Sequence, residues 1–237
     1  MGKHFLVADV HLEPEADPIT WQTFFAFLDF VREQKGSLYI LGDLFDYWTN
    51  NKVLKKKYQP LFEKLSAIAA ANFVGILTGN RDFLLNKDYL SNRGINYWGD
   101  GARLTLEGQR LFLTHGDDLW NKDRGYTLYK RLAWPLFRCL DAVVPGVIAN
   151  TVALNLRTKS RRSNGNKFYS QPPIDEQLLQ KYFQSGIDLV VCGHIHTPNN
   201  REYPDGKRLI ILPAWKERMG GYCLISEGRA ELMEFKK

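Results

Sequence analysis

The chain is poor in cysteine, and what it has is scattered: Cys139, Cys192 and Cys223, odd in number and with no Cys-x-x-Cys pair. That pattern excludes a disulfide framework and a thiolate zinc site, and leaves the three as core filler. Long apolar runs are missing too. Charges or prolines interrupt every candidate before the roughly 20 residues that a membrane span needs. The opening Met1 to Ala8 offers only Phe5, Leu6, Val7 and Ala8 before Asp9 intervenes, short of a signal peptide's apolar region, so the expected location is the cytoplasm. There is no internal repeat, no low-complexity tract and no linker that would mark a second domain. The expectation is one domain over residues 1–237.

The composition is that of an ordinary soluble protein, 44% apolar and 24% charged, with a net charge of +6. A basic balance favours an anionic partner, and nucleic acid, a phosphorylated small molecule and a membrane surface all stay open.

Short apolar runs recur, each stopped by a polar cluster: Phe5 to Ala8, Leu38 to Leu41, Phe73 to Leu77, Leu111 to Leu113 and Asp188 to Cys192. These read as buried strands. Helix-like stretches at Trp21 to Gln34 and Tyr58 to Ala71 separate the early ones, the alternation of an α/β protein. The tail differs, because Arg208 to Leu212, Gly221 to Ile225 and Ala230 to Phe235 follow one another through short turns and predict antiparallel strands. Between about residues 121 and 171, Pro145 and Gly146 split two helix-like stretches, Tyr126 to Val143 and Val147 to Arg157, which predicts an inserted helical lid.

Histidine is scarce, and four of the five histidines stand where an apolar run stops. The full set reads Asp9-Val10-His11, Gly42-Asp43, Gly79-Asn80-Arg81-Asp82, His115-Gly116-Asp117 and Gly193-His194-Ile195-His196. Strand carboxyl ends are where α/β sheets bind ligands. Singly, each piece also reads as a helix cap or a turn. Together they assemble imidazole with carboxylate and amide oxygen, a donor mix suited to manganese, iron or zinc.

In that order, the five motifs resemble the calcineurin-like metallophosphoesterase superfamily. The resemblance implies a four-layer αββα sandwich and two divalent cations. Asp9, His11, Asp43 and His196 would hold one, and Asp43, Asn80, His115 and His194 the other, with Asp43 bridging. Two cations roughly 3.5–4 Å apart bind a phosphoryl oxygen and activate a water in line with the leaving group. This chain departs from the superfamily in carrying Arg81 where a histidine usually follows Gly-Asn. Arginine does not give up a proton near neutral pH, but it grips phosphate and stabilises developing charge. The exchange suits an easy leaving group such as a phosphate monoester, whose second pKa is about 6, and so points to a diphosphate.

Leu41 to Trp48, Gly79 to Leu85, His115 to Asp117, Asp123 to Tyr126, Gly193 to Pro198 and Pro213 to Trp215 are similar to the family of UDP-2,3-diacylglucosamine diphosphatases. That likeness implies water attack on the α-phosphorus, release of UMP and 2,3-diacylglucosamine 1-phosphate in lipid A biosynthesis, and manganese as the metal. It implies catalytic roles for Asn80, Arg81, His115 and His194, and substrate contacts from Asn80, Arg81, Asp123, Ser160, Asn164, Lys167 and His194. Lid aliphatics such as Leu136, Leu140 and Ile148 either serve ordinary helix packing or form an interfacial amphipathic helix, and the neighbouring Lys130, Arg131 and Arg138 tilt the reading to the second. The expected partner is thus the anionic cytoplasmic face of the inner membrane, met as a peripheral, monomeric protein, with no nucleic acid. Another calcineurin-like phosphodiesterase or nuclease is the rival enzyme, and a non-catalytic scaffold the rival class. Tyr47, Trp48 and Trp215 either line a nucleotide pocket or fill the core, and Asp46, Asp82 and Asp117 are candidates to orient the imidazoles.

Overall fold

The structure, a computed structural model, describes residues 2–13, 17–120 and 174–237. The lid expected at 121–171 lies outside the described residues, and so do Asp123, Ser160, Asn164 and Lys167.

Two sheets stack face to face. The first runs β11-β10-β1-β2-β3-β4 and the second β5-β6-β7-β9-β8. In the first, β1 (His4–Val7), β2 (Ser37–Leu41), β3 (Val74–Leu77) and β4 (Asn96–Tyr97) are parallel, and β10 (Met219–Ser226) and β11 (Arg229–Lys236) extend the sheet antiparallel beside β1. In the second, β6 (Gln109–Thr114), β7 (Leu189–Cys192) and β9 (Arg208–Ile211) are parallel, flanked by antiparallel β5 (Gly101–Leu106) and β8 (Asn199–Glu202).

The period of two in a strand explains the layering. Phe5 and Val7 of β1, with Leu38 and Ile40 of β2, face a core shared with helices α1 (Pro18–Glu33) and α3 (Gln59–Ala69). Leu6 and Ala8, with Tyr39 and Leu41, face the other way and meet Leu111, Leu113, Leu189 and Val191 of the second sheet. Val190, Cys192, Leu209 and Ile211 close the stack against Leu179 and Phe183 of α5 (Glu176–Gln184). Helix, sheet, sheet, helix is the four-layer order expected from the sequence. The short helices α2 (Lys52–Lys57) and α4 (Lys87–Ser91) fall in connections. Helix α1 buries Thr20, Thr23, Phe24, Phe27, Leu28 and Val31, the three-and-four spacing of one helical face. It starts at Asp17, which accepts from the Thr20 amide at 3.0 Å, a cap that contributes about 1 kcal/mol.

One expectation for the tail fails. The run at Arg208 is not an antiparallel neighbour of the next two. It pairs parallel with β7 in the second sheet, whereas β10 and β11 pair with each other in the first. An apolar run states that a strand is buried but not which sheet it joins.

Candidate metal centre

All seven predicted ligands follow parallel strands at their carboxyl ends: Asp9 and His11 after β1, Asp43 after β2, Asn80 after β3, His115 after β6, His194 and His196 after β7. The chain turns hard at these points. Among the described residues ten non-glycine residues take positive φ, and Asp9, His11, Asp43, His194 and His196 are five of them, with φ from 51° to 68°. Asp and His tolerate this left-handed region better than most side chains.

The post-strand loops are laced together. The amides of Asp9, His11 and Leu12 donate to the carbonyls of Gly42, Asp43 and Leu44 at 3.0–3.2 Å, so the β1–β2 pairing continues past the strands. Glycines admit the close approach: a Cβ on Gly79 would stand 2.2 Å from Asp43 Oδ1, and one on Gly193 would stand 2.3 Å from Asp9 Oδ2.

The donors converge. Asp9, His11 and His196 form one group and Asp9, Asp43 and His115 another, each with donor atoms within 4.8 Å of one another. Asp43 Oδ2 lies 3.9 Å from His11 Nδ1 and 3.7 Å from His115 Nε2, facing an imidazole of each set. His11 Nε2 and His196 Nε2 are 3.1 Å apart, and His194 Nδ1 and His115 Nε2 are 3.3 Å apart. Two nitrogens each about 2.1 Å from one cation would be separated by roughly 3.0–3.4 Å. The buried atom Asn80 Oδ1 makes no hydrogen bond, an expensive state for a polar group unless a cation takes it. The residues therefore fit a divalent-metal centre, with His194 joined to the second group through His115 and Asn80 Oδ1 a further buried donor on the loop after β3.

Electrostatics follow from burying carboxylates among imidazoles. Burial raises the Asp9 carboxyl, but His196, His115 and His11 outweigh it and hold the group well below the usual range. Burial pushes Asp43 up to about 7, with Asp82 and Asp9 adding and His115 and Arg81 opposing. His115 is penalised by burial, yet Asp43, Asp9, Asp117 and Asp82 raise it to about 9. His194 drops to about 4, first through burial and then through the His115 charge. The cluster attracts positive charge.

The orienting groups differ from those expected. His115 Nδ1 lies 3.0 Å from the Leu41 carbonyl, which makes that nitrogen the donor and leaves Nε2 as the ligand atom. Asp82 holds no imidazole. It accepts from the amides of Gly79 at 2.7 Å and Leu44 at 2.8 Å, tying the β3 loop to the β2 loop. The Asp46 carboxylate accepts from Arg81 Nη1 at 2.8 Å. Asp117 is buried, and its charge favours the protonated forms of His115 and His194. Nothing in the sequence distinguishes a carboxylate that serves a backbone amide from one that serves an imidazole. Trp48 and Trp215 fill the core under α1 and α3, and half-buried Tyr47 packs against it.

The family profile of calcineurin-like phosphoesterases matches residues 4–198. A UDP-2,3-diacylglucosamine hydrolase of Photorhabdus laumondii subsp. laumondii is 32% identical, with 97% of each chain covered. One of Shewanella piezotolerans is 29% identical, with 96% of each chain covered. An archaeal phosphodiesterase of known structure shares the fold with a TM-score of 0.54 at 12% identity, over 99% of each chain. With five motifs after parallel strands of a layered sandwich, and a profile match from β1 to just beyond the last histidine, the chain belongs to the calcineurin-like phosphoesterases.

Proposed function

We propose that this enzyme hydrolyses the diphosphate of UDP-2,3-diacylglucosamine by water attack on the α-phosphorus, yielding UMP and 2,3-diacylglucosamine 1-phosphate for lipid A biosynthesis. The observation that carries the reading is Arg81. Its guanidinium stands beside the metal centre, with Nε 3.6 Å from Asp43 Oδ2, where a proton donor would serve a poorer leaving group. Relatives that share nearly the full length carry the name of that hydrolase.

Asp9, His11, Asp43 and His196 would hold one divalent cation and Asp43, Asn80, His115 and His194 a second, with manganese the proposed metal. Such a pair supplies Lewis acidity to the phosphoryl oxygen and makes water a nucleophile near neutral pH. The chain's own contribution is positioning and charge. Arg81 grips the diphosphate and stabilises the charge that grows on the departing phosphate, the Asn80 amide orients the same group, and His194 contacts the substrate. His115, its Nδ1 directed to the Leu41 carbonyl, presents Nε2 in a single tautomer. Asp123 is proposed to bind the glucosamine head, and Ser160, Asn164 and Lys167 to contact the substrate. The cationic, aliphatic stretch at 126–157 is proposed to rest the protein, as a monomer, on an anionic inner-membrane face. No helix among the described residues is long and apolar enough to cross a membrane.

The deciding measurement is turnover of UDP-2,3-diacylglucosamine by manganese-loaded protein, read as UMP release beside a nitrophenyl phosphodiester and single-stranded DNA. Preference for the lipid nucleotide is expected. Activity on DNA or the generic ester alone would overturn the substrate while leaving the metal centre.

A further inference from the structure

We infer that Asp46 is the positioning residue for Arg81, clamping one arm of the guanidinium so that the rest of the fork is kept for the phosphoryl group. The inference rests on the role proposed above for Arg81.

Asp46 lies three residues past the bridging candidate Asp43, in the same loop after β2. Its amide donates to the Leu12 carbonyl at 3.0 Å, which fixes the backbone, and the residue is only 4% exposed. The carboxylate takes Arg81 Nη1 at 2.8 Å, good geometry for a charge-assisted bond. Arg81 is pinned at both ends of its own peptide: its amide donates to Asp43 Oδ1 at 2.9 Å, and its carbonyl accepts from the Trp48 amide at 3.2 Å. The side chain keeps a 16% window to solvent. Among the described residues it makes no other side-chain hydrogen bond, so most of the five donors of the fork are uncommitted.

The alternative partner for the guanidinium is close. Asp43 Oδ2, 3.6 Å from Nε, is beyond hydrogen-bond reach but near enough to attract it. That oxygen also faces His11 and His115, so an arginine drawn onto it would compete with a cation. Asp46 resolves the competition. Its buried charge offsets the guanidinium and lets an arginine stay beside a divalent centre that would otherwise repel it. The fork is thereby presented as a pre-set phosphate clamp, and less of its freedom is lost when substrate arrives.

The test is a double-mutant cycle on manganese-loaded protein with Asp46→Asn, Arg81→Ala and the pair, each assayed on UDP-2,3-diacylglucosamine and on bis(p-nitrophenyl) phosphate, with bound metal counted in every variant. Asp46→Asn is expected to lower kcat on the order of 10-fold, a typical loss for removing a supporting partner, at unchanged metal content. In the Arg81→Ala background it should cost less than about 2-fold, as expected of a residue whose part in turnover is to place Arg81. Equal losses in both backgrounds, no loss, or a loss that follows metal content would overturn the inference. If the wild type cleaves the nitrophenyl ester but not the lipid nucleotide, the substrate reading falls and the cycle on the ester still decides Asp46. A readout independent of turnover is the guanidinium 1H–15N spectrum of metal-free protein. Asp46→Asn should shift the Arg81 signals toward those of a freely exchanging arginine, and an unchanged spectrum would refute the clamp.

Discussion

Of the seven predicted ligands, Asp9, His11, Asp43 and Asn80 follow strands of the first sheet and His115, His194 and His196 strands of the second, so every proposed oxygen donor comes from the first and only imidazoles come from the second. Their support differs as well. The first-sheet loops are laced by backbone hydrogen bonds and by Asp82. The second-sheet histidines lean on the first: His115 on the Leu41 carbonyl, and the His194 amide on Asp9 Oδ2 at 2.7 Å. One sheet is the frame and the other is fitted to it. Each proposed cation would also draw ligands from both, so the centre acts as a clasp between sheets.

Substitution at the frame should do the most harm. Asp43→Ala is expected to bring bound metal from two per chain to none and to lower turnover by more than about 100-fold, since even an outer partner of a metal site costs 10–100-fold. Elemental analysis beside kinetics checks it, and retention of one metal would show that the sheets act independently. His196→Ala, on the fitted sheet, should leave one cation bound, and the same count for His115→Ala would sharpen the contrast with Asp43. Asp82→Ala leaves the buried amides of Gly79 and Leu44 unpaired, with an expected loss of roughly 3 kcal/mol in the urea unfolding of metal-free protein.

The smallest effect lies in the second sheet, at the opposite end of β7 from His194 and His196. Asp188, which caps β7, accepts from Arg110 and Lys207, and these contacts hold its carboxyl well below the usual range. A depressed folded-state value stabilises above the unfolded value of about 3.9 and is lost as pH falls below it. Asp188→Asn should therefore flatten the stability profile of metal-free protein below about pH 4 and weaken it slightly at pH 7, less so in high salt because the pair is partly exposed. A profile parallel to wild type would remove Asp188 from the acid response.

The candidate ligands were legible because each stands where an apolar run ends, and a catalytic α/β sheet concentrates chemistry at that position. The layering was legible because Phe5, Leu6, Val7 and Ala8 are apolar without a break, which only a strand buried on both faces requires. Strand β8 was not, since Asn199-Asn200-Arg201-Glu202 is a polar edge with no periodicity to read. Nor was the sheet that β9 joins, because pairing partners are chosen by tertiary packing. The work of Asp82 and of the Leu41 carbonyl stayed hidden for a related reason: both act through main-chain atoms, which every residue carries alike.

The left-handed backbone at five of the seven predicted ligands bears on any attempt to transplant the centre. A non-glycine residue held there costs on the order of 1–3 kcal/mol, less for Asp and His than for most. Copying the seven side chains onto the relaxed strand ends of another sheet would reproduce the inventory of donors without the bends that aim them. A graft must carry the turns with their glycines, whereas a library that keeps the turns and varies the donors would explore new metal preferences on a frame already shaped to receive them.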